Sequence, residues 1–420
     1  MQEVNFDTKN IVESEINSEK NKRKRFKRFR NWYSSLSHNQ RYVFWISSIV
    51  GIVLILGVLS LLIILFRPSS SDIKASNVKF KPLYSKPKYT PAKKYVDPLD
   101  GVYVNSKSVL DRPALSVMIE NSLPARPQSG LSSADLVYEA QVEGDITRFM
   151  AVYLAHSPTM IGPIRSARLY YIAWAQGLGS IYTHWGGNIY ALEKLQKDNI
   201  PNINALTMAS SGVSCSTPNF IFCRLDTRYA PHNGYGNTQE IWALAKQQGL
   251  YSSLTLGKNI VPYTFENTPK QSQLGPNGSN ITIFFDQNVQ PYSVNWVYNQ
   301  STNSYTRYNG GTEQIDANTQ QPLTTKNVVV LYINGYTTSY PGEGTTEAAA
   351  PIWILQTTGS GNAYIFNNGK ETKATWTKTS STSRMTFTQS NGNPVQFQRG
   401  QIWFEVLEPQ TGSFTYTQGS

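Results

Sequence analysis

Residues 161–168 read Ile-Gly-Pro-Ile-Arg-Ser-Ala-Arg, and the patterns on either side of this octapeptide decide the fold class. Before it, Ile146 to Leu154 has the apolar texture of a strand. After it, Leu169, Ile172, Ala173 and Ala175 fall at helical spacing up to Gly177 and Gly179. The octapeptide is therefore a strand-to-helix turn. Ser180 to His184 and Ile189 to Gln196 repeat the strand and the helix, with Gly186-Gly187 as the tight turn between them. This β-α-β-α order predicts an α/β unit. It places Arg165, Ser166 and Arg168, and His184 to Asn188, after the carboxyl ends of strands, the edge where open α/β sheets bind ligands. A strand-to-helix turn also presents backbone N–H groups and the positive end of a helix dipole, so an anion site is expected there.

Upstream, Ala114 to Ile119 is a short apolar strand, followed by an Asn121 to Leu131 loop that holds Arg126 and Gln128. Leu136, Tyr138, Ala140 and Val142 alternate with Val137, Glu139, Gln141 and Glu143, which predicts a strand with one polar face. Gly144-Asp145 reads as a two-residue hairpin turn. That register sets Arg148 opposite Gln141 and diagonal to Glu139 and Glu143. Downstream, Arg224, Asp226 and Arg228 lead into Pro231-His232-Asn233, and Asn237 with Glu240 caps a helix that Gly249 ends.

Arg126, Arg148, Arg165, Arg168, Arg224 and Arg228, with Ser166 and Asn233, form the expected ligand-binding set. Guanidinium groups hold phosphate or acidic sugars through paired contacts that lysine cannot reproduce. Glu139, Glu143, Ser166, His184 and His232 are the candidates for acid, base or nucleophile. Whether chemistry follows stays open. Ser166 has no Gly-x-Ser-x-Gly surroundings. His156, His184 and His232, taken with Glu143 or Asp226, lack the spacing of a helical metal motif, so neither a metal nor a cofactor is expected. The same arginines and carboxylates could instead be a buried structural network.

From residue 251 Thr, Ser, Tyr, Asn and Gln dominate, and short alternating runs recur from Ile281 to Leu407. Asn368-Gly369 and Asn391-Gly392 serve as hairpin turns. An all-β domain over 251–420 is expected behind an α/β domain over 99–250. Cys215 and Cys223 are the chain's two cysteines. Outside the membrane a disulfide loop is favoured over free thiols, and a zinc pair is less favoured because no second pair of Cys or His follows at ligand spacing.

Of 38 basic and 27 acidic residues, residues 1–41 carry 10 and 5, residues 67–95 carry 8 and 1, and the rest carry 20 and 21. The net charge of +11 thus lies outside the folded part, which argues against a nucleic-acid partner. Residues 42–66 are uncharged and apolar, long enough for a transmembrane helix rather than a cleaved signal. Basic residues crowd its amino-terminal side, so residues 1–41 are expected to be a disordered cytoplasmic tail with everything after Arg67 outside the cell. Residues 67–98 hold five prolines among lysines and predict an extended stalk.

Several segments resemble the YerB-like lipoprotein family, whose two halves are described as domains of unknown function. They are Arg112-Pro113, Val117-Met118-Ile119-Glu120-Asn121, Ala125 to Leu131, Ala134 to Glu139, Ile146-Thr147-Arg148-Phe149, Ile161 to Arg168 and Ala230-Pro231-His232-Asn233. Gly359 to Ala363, Asn368-Gly369-Lys370, Thr375 to Lys378 and Gly400 to Trp403 are similar in the second half. The resemblance implies an envelope protein. A lipidated cysteine after the signal is lacking, so the 42–66 helix would take the place of the lipid anchor. The layout also resembles, by analogy of organisation alone, the LytR-CpsA-Psr phosphotransferases. The expected partners are the cytoplasmic membrane and cell-wall polymer or other envelope proteins. Three functions are open: an anion-binding protein, a transferase or hydrolase of wall polymer, and a non-catalytic scaffold.

Overall fold

The computed structural model describes residues 94–253, 262–338 and 351–419, together with 34, 35, 37, 39 and 40. The expected transmembrane helix, most of the tail and the stalk up to residue 93 lie outside the described residues. Among the described residues no helix is long and apolar enough to cross a membrane. Thr90–Ser420 form one compact unit. Folding begins inside the segment expected to be stalk, because Tyr95–Val96 pairs with Tyr103–Val104.

The core of this unit is a sheet to which both halves of the sequence contribute. Strands β1 (Leu115–Glu120), β2 (Leu136–Gln141), β3 (Thr147–Tyr153), β4 (Ile181–His184) and β5 (Asn202–Asn204) come from the first half. Strands β6 (Asn327–Tyr332), β7 (Gly359–Asn367), β8 (Lys370–Lys378), β9 (Thr386–Gln389) and β10 (Ile402–Leu407) come from the second. They form one 10-stranded sheet in the order β9-β8-β7-β6-β10-β2-β3-β1-β4-β5. The seam between the halves is a parallel pair in which Ile402 faces Leu136 and Phe404 faces Tyr138. The change of texture at residue 251 therefore does not divide two separate sheets. The expected all-β run shares its main sheet with the strands of the α/β run.

Helices α1 (Leu169–Gly177) and α2 (Ile189–Lys197) pack on one face of this sheet, where Tyr138 stacks on Phe404 and Trp174 at centroid distances of 4.3 and 5.3 Å. The other face is covered by helix α3 (Thr238–Gln247) and a smaller sheet that includes Asn280–Phe284, Val294–Asn299 and Ser304–Asn309. Strand β2 is consequently buried on both faces, and the polar face expected for it does not exist: Glu139 is fully buried.

The hairpin between β2 and β3 also differs from expectation. Val142 N–H donates to Ile146 O, and Arg148 pairs with Ala140, which leaves Glu143, Gly144 and Asp145 as a three-residue loop. The extra residue shifts the register by one. Since side chains alternate across a sheet, Arg148 projects with Ala140 to the helix face and Glu139 with Phe149 to the opposite one. The Arg148–Glu139 grouping expected from a two-residue turn is thereby corrected. The β7–β8 hairpin does have the short form: Asn368 and Gly369 both take positive φ, as a two-residue turn requires. A Cβ on Gly369 would stand 2.4 Å from the Tyr298 ring, so this turn demands glycine twice over.

Cys215 and Cys223 form a disulfide with a Cα–Cα distance of 4.9 Å. It braces the strand Phe222–Arg224, which carries one of the candidate arginines. Closing so short a loop restricts the unfolded chain by about 2–3 kcal/mol. A Cys215→Ser/Cys223→Ser variant is therefore expected to lose about that much stability in urea denaturation, and the gap should close when both proteins are measured in reductant.

Candidate functional site

The 161–168 octapeptide is stitched into its surroundings through its own backbone. Ile161 and Gly162 N–H donate to Gly236 and Ser129, Ile164 to Gly234 at 2.6 Å, Arg165 to Met118 at 3.0 Å and Ala167 to Gly186 at 2.9 Å. Five of the octapeptide's amides are thus already bonded to carbonyls, and Arg168 N–H donates to the Tyr182 hydroxyl at 3.4 Å. The helix that follows also has an anion beside it from the chain itself, since Arg168 Nε and Nη2 donate to Glu143 Oε2. Burial pushes the Glu143 carboxyl up, but the Arg168 guanidinium more than offsets this and holds it below its ordinary value. The stretch is a structural junction, and its one outward-facing charge is Arg165, a quarter exposed.

The other arginines divide by what they touch. Arg148 is buried and donates to Ser166 O at 2.8 Å, and burial lowers its pKa to about 10. Arg228 clamps the loop before it, donating to Ala125 O at 2.5 Å and Pro127 O at 2.7 Å. Arg224 lies over the Trp185 ring at 4.1 Å and donates to Asn233 Oδ1 at 2.9 Å. Arg148 Nε is buried without a partner, and so is one nitrogen of Arg126, which differs in lining a cavity. The Arg126 Nε is held by Asn121 Oδ1 at 3.1 Å and its Nη1 by Pro291 O at 3.1 Å, while Nη2 is buried with no hydrogen-bond partner. Burial lowers its pKa to about 10, so the side chain stays cationic at neutral pH.

Arg126 lines a pocket of about 890 Å³ whose walls include Leu123, Phe284, Pro291 and Ile315. Asn309 lines the same pocket, and its Oδ1 is likewise buried without a partner. Two residues that each hold an unused polar atom in the wall thus line one pocket, along with Glu313. Each unpaired buried group of this kind costs roughly 1–3 kcal/mol unless something binds it.

On the other side of the 121–127 loop, Glu120 at the end of β1 gathers a second cluster. Its Oε1 accepts from Ser122 Oγ at 2.6 Å and from His232 Nδ1 at 2.9 Å. Arg165 Nε lies 3.2 Å from the same oxygen, but its N–H is directed off the carboxylate, so that contact is coulombic rather than a hydrogen bond. Because a carboxylate accepts, Nδ1 of His232 carries the hydrogen and Nε2 is the nitrogen left for an outside partner. Ser122 also approaches Nδ1, at 3.3 Å, so the three residues do not form the relay in which serine bonds Nε2. Tyr229, 90% exposed, stands on the same loop as His232.

Of the remaining candidates, His184 is sealed into the sheet between Gly186 O at 2.7 Å and Asn202 Oδ1 at 3.2 Å, and burial lowers its pKa. Glu139 belongs to a buried network. Its Oε1 accepts from Thr147 Oγ1 at 2.5 Å and Asn121 Nδ2 at 3.1 Å, and its Oε2 pairs with Arg307. Arg307 also bonds Glu405 Oε1 at 2.7 Å and Gln314 Oε1 at 2.6 Å. Neither residue is placed to carry protons for an outside ligand. Glu120, Ser122 and Asn309 were not singled out from the sequence. Glu120 had a signal, a carboxylate closing an apolar strand just before a loop, whereas Ser122 and Asn309 had none.

Residues 99–251 match the N-terminal domain, and residues 281–404 the C-terminal domain, of the family described as "Protein of unknown function (DUF3048)". The chain belongs to this YerB-like family. It is 27% identical over 316 residues to "Putative lipoprotein YerB" of Bacillus subtilis (strain 168), an alignment spanning 75% of this chain and 87% of the relative. The crystal structure of the Bacillus subtilis YerB protein is similar with a TM-score of 0.63 at 25% identity, covering 77% of this chain and all of that one. The loops that carry Arg126, Glu120, Arg165 and His232 all lie within the N-terminal family match, while Asn309 and Phe284 lie in the C-terminal one. The pocket therefore draws on both domains of the family.

Proposed function

We propose that this chain is a membrane-tethered protein of the cell envelope that binds a hydroxylated anion, a sugar phosphate or acidic sugar of a wall polymer, in the Arg126 pocket. The observation that carries this reading is that Arg126 and Asn309, whose Nη2 and Oδ1 lack hydrogen-bond partners, line one pocket. The guanidinium calls for an anion, the amide oxygen calls for a hydroxyl, and the apolar walls suit the C–H face of a sugar ring. Arg165 and Arg224 extend positive charge beyond the loop, for a polymer longer than one unit. The name of the Bacillus relative, the basic residues before 42–66 and the uncharged run itself support the tethered location, with the amino terminus in the cytoplasm.

The test is calorimetric titration of the full-length chain in detergent with glucuronate oligosaccharides and with polyglycerol-phosphate fragments. One of these should bind the wild type. Arg126→Gln is expected to weaken it about 10- to 100-fold, the range for losing a hydrogen bond to a charged group. Binding that Arg126→Gln leaves unchanged would remove the pocket from consideration.

A second reading rests on His232. Its Nδ1 is anchored on Glu120, which orients Nε2 as a proton acceptor for a transferase or hydrolase reaction on the same polymer. Under this reading His232→Gln leaves polymer affinity unchanged and abolishes release of polymer fragments. A scaffold without chemistry releases none with either protein.

A further inference from the structure

We propose that Asp97, Asp100 and Asp135 form a site for one calcium ion where the chain enters its folded unit. All three side chains are buried, with 0%, 3% and 0% exposure. One oxygen from each lies within 4.8 Å of the other two. Calcium–oxygen bonds of about 2.4 Å put opposite ligands about 4.8 Å apart, so a single ion can reach all three.

Each carboxylate is oriented by the backbone. Asp97 Oδ1 accepts from Leu99 N–H at 2.7 Å, Asp100 Oδ1 from Val102 N–H at 2.9 Å and Asp135 Oδ2 from Leu154 N–H at 2.5 Å. These bonds leave ligand capacity unused. Independently of the cluster's acidity, Asp97 Oδ2 is buried with no hydrogen-bond partner, the condition of a ligand atom that lacks its ion.

Charge points the same way. Among the described residues, the one cationic group within ion-pair distance of the three is His156, whose Nδ1 is 2.9 Å from Asp135 Oδ1. The arginines nearby direct their hydrogen bonds to carbonyls rather than to these carboxylates: Arg112 to Leu154 O, Arg384 to Pro98 O and Leu99 O, and Arg399 to Gly101 O. His156 at ion-pair distance and Arg112 at longer range offset part of the charge of the three carboxylates, and a divalent cation would offset the rest. An all-oxygen donor set selects a hard ion, and calcium accepts irregular carboxylate geometry completed by carbonyls or water, whereas magnesium demands a near-ideal octahedron.

The ion would join the 97–100 turn to the start of β2 and the end of β3, fixing the direction in which the chain leaves the folded unit towards the stalk. The test uses the full-length chain in detergent, stripped with chelator and titrated with calcium at pH 7.5. One ion per chain is expected to bind, with a rise of several degrees in melting temperature. Asp100→Asn should abolish both, and Asp226→Asn, on an exposed loop, should retain both. Should Asp100→Asn fail to fold, the wild-type titration at pH 5, where protons compete for the carboxylates, should show at least tenfold weaker binding. No calcium binding at pH 7.5, or a melting shift that Asp100→Asn retains, would overturn the proposal.

Discussion

An Arg307→Met variant is expected to unfold about 3–5 kcal/mol more easily than the wild type in urea denaturation. Arg307 is fully buried and is held by Glu139 of β2, Glu405 of β10 and Gln314 at once. Removing the cation leaves Glu139 charged, buried and uncompensated, and this cost exceeds anything a well-packed methionine returns. The decisive comparison is the Arg307→Met/Glu139→Gln pair. If the single variant fails because of the stranded carboxylate, the double variant regains at least about 1 kcal/mol, a coupling that independent sites would not show. A loss below about 1 kcal/mol for Arg307→Met alone would mean that the network contributes little beyond filling space. Because Arg307 sits in the smaller sheet while its two carboxylates flank the β2–β10 seam, the loss should also appear in one transition. The smaller sheet and both halves of the large sheet are tied by the same side chain.

The network also marks where the sequence stops being legible. Local elements were readable because their signals are local. The α3 cap is one: Asn237 Oδ1 accepts from Gln239 N–H at 3.0 Å and Gly249 takes a φ of 73°, as a cap residue and a helix-ending glycine should. The runs at Val294, Val328 and Ile402 became strands for the same reason, since alternation or unbroken apolar character needs no partner to be seen. Strand pairing between β2 and β10 had no such signal, because no turn connects residues this far apart. Yet Ile402 to Leu407 is apolar except for Glu405, and an unbroken apolar strand is one buried on both faces. A lone carboxyl group in that setting requires a polar partner. Arg307, on the same phase as buried Tyr305, was the available one.

The parts of the candidate site were not legible in the sequence. Side chains as long as arginine reach carbonyls several residues away, so the sequence cannot distinguish Arg228, spent on Ala125 and Pro127, from Arg126, with a guanidinium nitrogen unspent. The one-residue difference in the β2–β3 loop had a larger effect. It moved Arg148 and Glu139 to opposite faces and so split one expected cluster into a structural arginine and a structural carboxylate. What remained at the surface was Arg165 with His232 on Glu120, and Arg126 across the loop.

A Glu405→Gln variant is expected to be more stable than the wild type above pH 8 and close to it at pH 5. Burial, only partly offset by Arg307 and reinforced by the neighbouring Glu139 charge, raises the Glu405 pKa to about 8. The unfolded chain releases this proton near pH 4.5, whereas the folded chain keeps it until about pH 8. Between those values the folded state binds more protons, so stability falls as pH rises and levels off above pH 8. The stabilising contribution of the group is thus fully present below about pH 4.5 and lost as pH climbs through 8. Glutamine keeps an oxygen for Arg307 and Trp296, which bond Glu405 Oε1 at 2.7 Å each, and offers an amide hydrogen where the acid carried its proton. It has nothing to ionise. The difference between the two proteins should therefore grow from near zero at pH 5 to a few kcal/mol at pH 9. Asp97, with a pKa of about 7, and Asp100, raised well above its ordinary value by burial, titrate in the same direction, so the wild-type curve alone would mix all three groups. The difference between wild type and variant, taken in chelator at each pH, isolates Glu405. Parallel curves from pH 5 to 9 would show that Arg307 keeps both carboxylates ionised and that no shared proton exists at the seam.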